Sequence, residues 1–194
     1  MNNIKELFKL EIYKQNLNLN IELLEKFCLK LQNNYESRKR SNIGGWQSDD
    51  LFYEKISLIQ DFKDIITKHI NKYALHFNFK RKIELSNLWV NINEYKDSNS
   101  IHLHPGAVFS GVFYIKSNEN SGNLIFHNPC EDLMDIFFSD NVSKYNSTNS
   151  SEWFFKPEEN NLILFPGYLK HSVGPNLNKK EKRISISFNA IIKQ

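Results

Sequence analysis

The alternation of apolar and polar positions changes character twice along the chain. Phe8-Lys9-Leu10-Glu11-Ile12 alternates apolar and charged residues, the period-2 mark of a strand with one buried face, and predicts a strand over residues 8–12. Asn20 then offers a helix cap, and Leu23, Leu24, Phe27, Cys28 and Leu31 recur every three to four positions behind it. A polar stretch ends in Ser41-Asn42-Ile43-Gly44-Gly45-Trp46-Gln47-Ser48, and a second helix carries Ile59, Phe62, Ile66, Ile70 and Tyr73 at helical spacing. After residue 83 short alternating segments separated by turn residues take over, predicting strands near 85–95, 101–104, 107–116, 123–127, 152–156, 161–165, 171–173 and 183–193. Two helices and then many short strands predict an α+β chain, mainly β: a jelly roll with N-terminal helices packed on one sheet. The expected organisation is one domain over 1–194, with 1–82 mainly helical support and 83–194 the β core. Residues 128–150, dominated by Asn, Ser and Asp, read as a long loop, of the kind that serves as a lid or stays disordered.

Composition narrows the class without naming a chemistry. Hydrophobic residues make up 40% and charged residues 24% of the 194, an ordinary globular balance. The net charge of +3 is spread along the chain, and basic runs such as Arg38-Lys39-Arg40 and Lys179-Lys180 are short, which argues against nucleic acid as a partner. Two cysteines, Cys28 and Cys130, cannot build a disulfide framework, and no apolar segment comes after Met1-Asn2-Asn3-Ile4-Lys5-Glu6. No apolar run approaches the roughly 20 residues of a spanning helix. The expected location is the cytoplasm, with no membrane partner.

Three segments carry candidate chemistry. In Ile101-His102-Leu103-His104-Pro105-Gly106, residues i and i+2 of a strand share a face, so His102 and His104 aim two imidazoles at one point. The apolar strand Leu162-Ile163-Leu164-Phe165, with Pro166-Gly167 turning after it, delivers His171 as a third imidazole or leaves it on the surface. Three neutral nitrogen donors on a rigid β scaffold suit Fe(II) and leave positions open for substrate and oxygen. In the last strand Ile184, Ile186, Phe188 and Ala190 fill a core, while Arg183, Ser185, Ser187 and Asn189 share the other face. That polar face either meets something polar or is a solvent-facing outer surface. Arg183 offers a planar fork for a carboxylate and Ser185 a hydroxyl beside it.

Taken in order, these motifs resemble the 2-oxoglutarate- and Fe(II)-dependent oxygenases. Tyr95 seven residues before His102, the distal His171, and Arg183-x-Ser185 fit that superfamily's pattern. Its branch of bacterial and phage oxygenases is similar over about residues 40–190, through Ser41 to Ser48, His102 to Pro105, Ser110-Gly111-Val112-Phe113-Tyr114, Phe165-Pro166 with His171, and Arg183 to Asn189. The resemblance implies a double-stranded β-helix and the cofactors Fe(II), 2-oxoglutarate and O2. It makes His102 and His171 metal ligands, and Arg183 with Ser185 the clamp for the far carboxylate of 2-oxoglutarate, with Tyr114 adding a phenolic hydrogen bond. The reaction implied releases succinate and CO2 and hydroxylates a C–H bond of a small molecule or protein side chain. Trp46, Asn189 and the aromatic segment 152–155 are the expected substrate contacts, Trp46 in an ordered turn with Gly44 and Gly45 beside the pocket.

One departure stands out. The superfamily has Asp or Glu where this chain has His104, so either three histidines bind the metal or His104 stands behind two. Two other readings keep these residues. A three-histidine cupin-like enzyme without 2-oxoglutarate gives Arg183 no task, and a non-catalytic jelly roll predicts no metal and an exposed polar face on the last strand. The sequence does not speak to oligomeric state.

Overall fold

A computed structural model describes residues 3–5 and 7–193. Strand β1 (Tyr13–Asn16) leads into helix α1 (Ile21–Asn34), two-residue strands β2 (Asn42–Ile43) and β3 (Trp46–Gln47), and helix α2 (Ser57–His76). Then come β4 (Ile83–Asn93), β5 (Ser98–His102), β6 (Phe109–Lys116), β7 (Leu124–His127), helix α3 (Glu131–Phe138), β8 (Glu152–Phe155), β9 (Asn161–Pro166), β10 (His171–Val173) and β11 (Arg183–Ile192). Two antiparallel sheets form, ordered β1-β9-β6-β11-β4-β3 and β2-β5-β10-β7-β8, with the crossing connections of a jelly roll.

The larger sheet is two-faced because β4 and β11 alternate apolar and polar residues over most of their length, with a bulge at Asn189/Ala190. Leu88, Val90 and Ile92 of β4 and Ile184, Ile186 and Phe188 of β11 turn to a core shared with Leu24 and Cys28 of α1 and Ile59, Phe62, Ile66 and Ile70 of α2. Asn20 caps α1 as its position predicts, accepting the Glu22 amide at 3.2 Å. Leu23, though part of the apolar pattern, stays exposed, so the buried stripe is narrower than the sequence suggests. A second cluster of Val112, Tyr114, Leu124, Phe126, Ile163, Phe165 and Leu169 fills one end of the space between the sheets.

Three expectations need correction. The alternating segment 8–12 is not a strand: Phe8 has φ 55° and is fully exposed, and pairing starts only at Tyr13, opposite Leu164. A period-2 pattern makes a strand only where an edge is free to receive it. The loop 128–150 contains α3 and a 3₁₀ turn (Ser139–Asn141), neither of which buries a residue. The strand predicted at 101–104 runs over Ser98–His102 instead and leaves His104 outside it, while residues 1–82 add edge strands to their helices, β1 and β3 at both edges of the larger sheet and β2 at one edge of the smaller.

Candidate metal centre

The smaller sheet sets two histidines face to face, His102 on β5 directly opposite His171 on β10. His104 lies two residues beyond the end of β5 and is brought back by its amide, which donates to Gly167 O at 3.0 Å. Gly167 must be glycine for this clasp, because a Cβ there would stand 2.3 Å from Ala107 O. Ring centroids are 4.3 Å apart for His102 and His171, 5.0 Å for His104 and His171, and 5.1 Å for His102 and His104.

Hydrogen bonds decide which nitrogens are free. His102 Nδ1 lies 2.7 Å from Ser100 O and His171 Nδ1 lies 2.9 Å from Leu169 O. A carbonyl only accepts, so each Nδ1 carries the proton and each Nε2 keeps its lone pair. Nε2 of His104 and Nε2 of His171 approach to 3.3 Å, and one ligand atom from each of the three residues lies within 4.8 Å of the others. Burial lowers all three pKa values: His102 against a raising hydrogen bond to Ser100, His104 to about 4 with His102 adding to the effect, His171 to about 3 likewise. Three neutral imidazoles, two of them with their Nε2 lone pairs left free and the third with its Nε2 3.3 Å away, are a donor set that a divalent transition metal accepts.

The histidines line one side of a cavity of about 630 Å³ between the sheets. Its other side is the polar face of β11, where Arg183, Ser185, Ser187 and Asn189 all line it, so the outer-surface alternative for this face fails. Arg183 is 1% exposed. Its Nη1 donates to Ser121 O and to the carbonyls of Gly174 at 3.0 Å and Gly122 at 3.4 Å, while its Nη2 has no hydrogen-bond partner among the described residues. Burial lowers its pKa, opposed by Tyr114 and Asp97. Tyr114, 2% exposed, also lines the cavity, and burial pushes its phenol up to about 12 against the pull of Arg183. An unpartnered, buried guanidinium nitrogen in a cavity is a seat for a carboxylate oxygen.

Two expectations about individual residues change. Trp46 does not line this cavity. Its indole is buried in the helix-side core and donates to Tyr35 O at 2.9 Å. The Gly44-Gly45 turn itself is there, with φ 68° and 65°, but strand alternation sends the next side chain, Gln47, to the cavity. The aromatics of 152–155 do not line it either, and Trp153 borders a separate cavity of about 280 Å³ with His127. His127 is buried there, with Nε2 3.1 Å from Ser172 Oγ. The residues missed include Arg40 and four on β4: Asn87, Trp89, Asn91 and Asn93 line the cavity beside the β11 face, and Asn91 Nδ2 donates to Ser187 Oγ at 3.0 Å. Their alternation with Leu88, Val90 and Ile92 carries the same signal as β11, and the order of strands makes the two polar faces adjacent.

Residues 87–189, more than half of the chain, match the family described as "Putative 2OG-Fe(II) oxygenase". The chain belongs to that family. It is thus an oxygenase that uses Fe(II), 2-oxoglutarate and O2, and the readings without 2-oxoglutarate or without catalysis give way. Among curated proteins no sequence matches. Solved structures agree in fold. A Pseudomonas putida prolyl-4-hydroxylase is 13% identical with a TM-score of 0.65, over 95% of this chain and 94% of that one. The viral collagen prolyl hydroxylase of Paramecium Bursaria Chlorella virus-1, in its 2OG complex, is 13% identical with a TM-score of 0.60, over 92% and 94%. The non-heme alpha ketoglutarate dependent epimerase SnoN from nogalamycin biosynthesis is 13% identical with a TM-score of 0.68, over 93% and 78%. Among the described residues no helix of this oxygenase is long and apolar enough to cross a membrane.

Proposed function

We propose that this oxygenase is a hydroxylase of a small molecule or protein side chain, that His102, His104 and His171 hold its iron through Nε2, and that Arg183, with Ser185 and Tyr114, holds the far carboxylate of 2-oxoglutarate. The observation that carries the reading is the hydrogen bonding of His102 and His171 Nδ1 to backbone carbonyls, which leaves their Nε2 lone pairs facing His104 across the cavity from an unpartnered Arg183 Nη2. When bound, iron and 2-oxoglutarate supply oxygen activation coupled to oxidative decarboxylation of the cosubstrate to succinate and CO2.

The protein's own part is holding and orienting. The backbone carbonyls of residues 100 and 169 fix the tautomer and tilt of two imidazoles, so the nitrogens need no reorganisation when metal arrives. Arg183 is itself fixed by three carbonyls on Nη1, which leaves Nη2 as a preset donor. Burial keeps the Tyr114 phenol protonated across the physiological range, so its hydroxyl is a donor. The chain works as one unit in this reading, because residues before 82 supply edge strands to both sheets.

The test is Arg183→Ala on the Fe(II)-loaded protein without oxygen, tracking the charge-transfer band as 2-oxoglutarate is added. A charge-assisted hydrogen bond is worth roughly 1.5–3 kcal/mol, so each one lost weakens binding on the order of ten- to a hundredfold. Metal content stays that of the natural protein, since the histidines lie in the other sheet, and Arg183→Lys recovers part of the affinity. Unchanged 2-oxoglutarate affinity in Arg183→Ala overturns the assignment.

A further inference from the structure

Loaded as proposed above, the cavity would keep one positive charge that its own lining does not cancel, and the lining says what kind of substrate would. No Asp, Glu or Lys is among its described lining residues, whose only charged side chains are Arg183 and Arg40. A divalent metal and Arg183, set against dianionic 2-oxoglutarate, leave one positive charge. A carboxylate at position 104 would have cancelled it, and His104 does not. Asp97 acts on Arg183 only from outside the cavity, and neither arginine forms an ion pair among the described residues.

Arg40 adds a second cation at the mouth. The next residue, Ser41, places its Oγ 3.4 Å from His102 Nε2, so the Arg40 backbone runs close beside the histidine cluster. The Arg40 amide is tied down, donating to Asn42 Oδ1 at 2.7 Å, yet among the described residues no hydrogen bond engages its guanidinium. Arg38, two residues earlier, is by contrast neutralised by Asp49, with Nη2 2.9 Å from Oδ2. On β4, where Asn87 lines the same cavity, its Oδ1 is buried without a hydrogen-bond partner among the described residues, an acceptor in need of an N–H or O–H.

Building on the histidine and Arg183 assignments above, we propose that the substrate is an organic anion: a carboxylate or phosphate held at the mouth by Arg40, on a body that presents a hydrogen-bond donor to Asn87. An anion here meets a cation with no competing partner among the described residues, whereas a cationic substrate such as a lysine side chain meets two like charges.

Calorimetry on the Fe(II)- and 2-oxoglutarate-saturated protein without oxygen tests this. The probes are glycerol 3-phosphate against glycerol, and hippurate against its neutral amide, which separate phosphate from carboxylate as the source of charge. At least one anion is expected to bind on the order of tenfold or more tightly than its neutral partner, and to weaken as salt is raised. Arg40→Gln should remove that preference and Arg40→Glu reverse it, with metal content and 2-oxoglutarate affinity as in the natural protein. If neither anion outbinds its neutral partner, or if Arg40→Gln keeps the preference, the proposal fails. An anion effect lost in Arg183→Ala but kept in Arg40→Gln would likewise overturn it, by placing the probe in the cosubstrate seat. Failure of 2-oxoglutarate itself to bind would instead strike the reading of Arg183.

Discussion

His104 is the residue on which the chemistry of this site turns. His102→Ala and His171→Ala are each expected to abolish binding of about one divalent metal, measured by metal content after dialysis. His104→Asp should retain it, because a carboxylate in that place restores two histidines and one acid. Full occupancy in either alanine variant would sink the ligand set. The same histidines make the metal-free protein acid-sensitive. An imidazole in the unfolded chain takes up its proton near 6.5, whereas His104 and His171 stay neutral in the fold down to about 4 and about 3. Between those limits the unfolded state binds more protons, so stability falls as pH drops below 6.5 and levels off only near the folded values. Melting curves of metal-free protein from pH 7.5 to 4.5 should show the midpoint falling steadily, and bound metal should blunt the fall. At this scale the sequence was largely legible. His102, His104, His171, Arg183, Ser185, Tyr114 and Asn189 all line the cavity, and the Trp46 expectation failed because parity along a two-residue strand set Gln47 there instead.

At the scale of elements, strand alternation builds the site. The polar faces of β4 and β11 pair residue for residue, Arg183 with Asn93, Ser185 with Asn91 and Ser187 with Trp89, and so form one wall. The turn that holds Arg183 is built on Gly122, whose φ is 79° and where a Cβ would stand 2.2 Å from Gly174 O. Gly122→Ala is therefore expected to cost about 1–3 kcal/mol of stability. Because Gly122 and Gly174 supply two of the carbonyls on Arg183 Nη1, the same variant should also weaken 2-oxoglutarate binding. Denaturant unfolding and the charge-transfer titration check the two halves separately. A variant as stable as the natural protein would show that the turn relaxes without strain. Elements whose pattern needed no distant partner, α1, α2 and most strands from β4 on, fall where the sequence predicts, whereas β5 spans Ser98–His102 and not 101–104, leaving His104 beyond its end. The alternating residues 8–12 failed because whether they pair depends on an edge elsewhere in the fold.

Over the whole molecule, the helices brace one sheet so that its opposite face can stay polar. Ile66 of α2 is fully buried between the helices and the larger sheet. Ile66→Ala should cost about 2–5 kcal/mol by leaving a cavity, seen as a lowered melting midpoint. Metal content of the fraction that remains folded should be unchanged, since the histidines lie on the sheet away from α2. Loss of metal at temperatures where the protein is still folded would show the bracing to be coupled directly to the site.

The sequence by itself determined what local rules can carry: two amphipathic helices, short alternating strands, a His-x-His pair, and a polar face starting at Arg183. Those arise from side-chain spacing and need no knowledge of neighbours. The tertiary structure alone decided which strands pair. Pairing set His171 opposite His102, tied His104 back through Gly167, and laid the asparagines of β4 beside β11. Among the described residues it also left Arg183 Nη2 without a hydrogen-bond partner and the cavity lining without carboxylates, because charge balance depends on which side chains meet in space and not on their order along the chain.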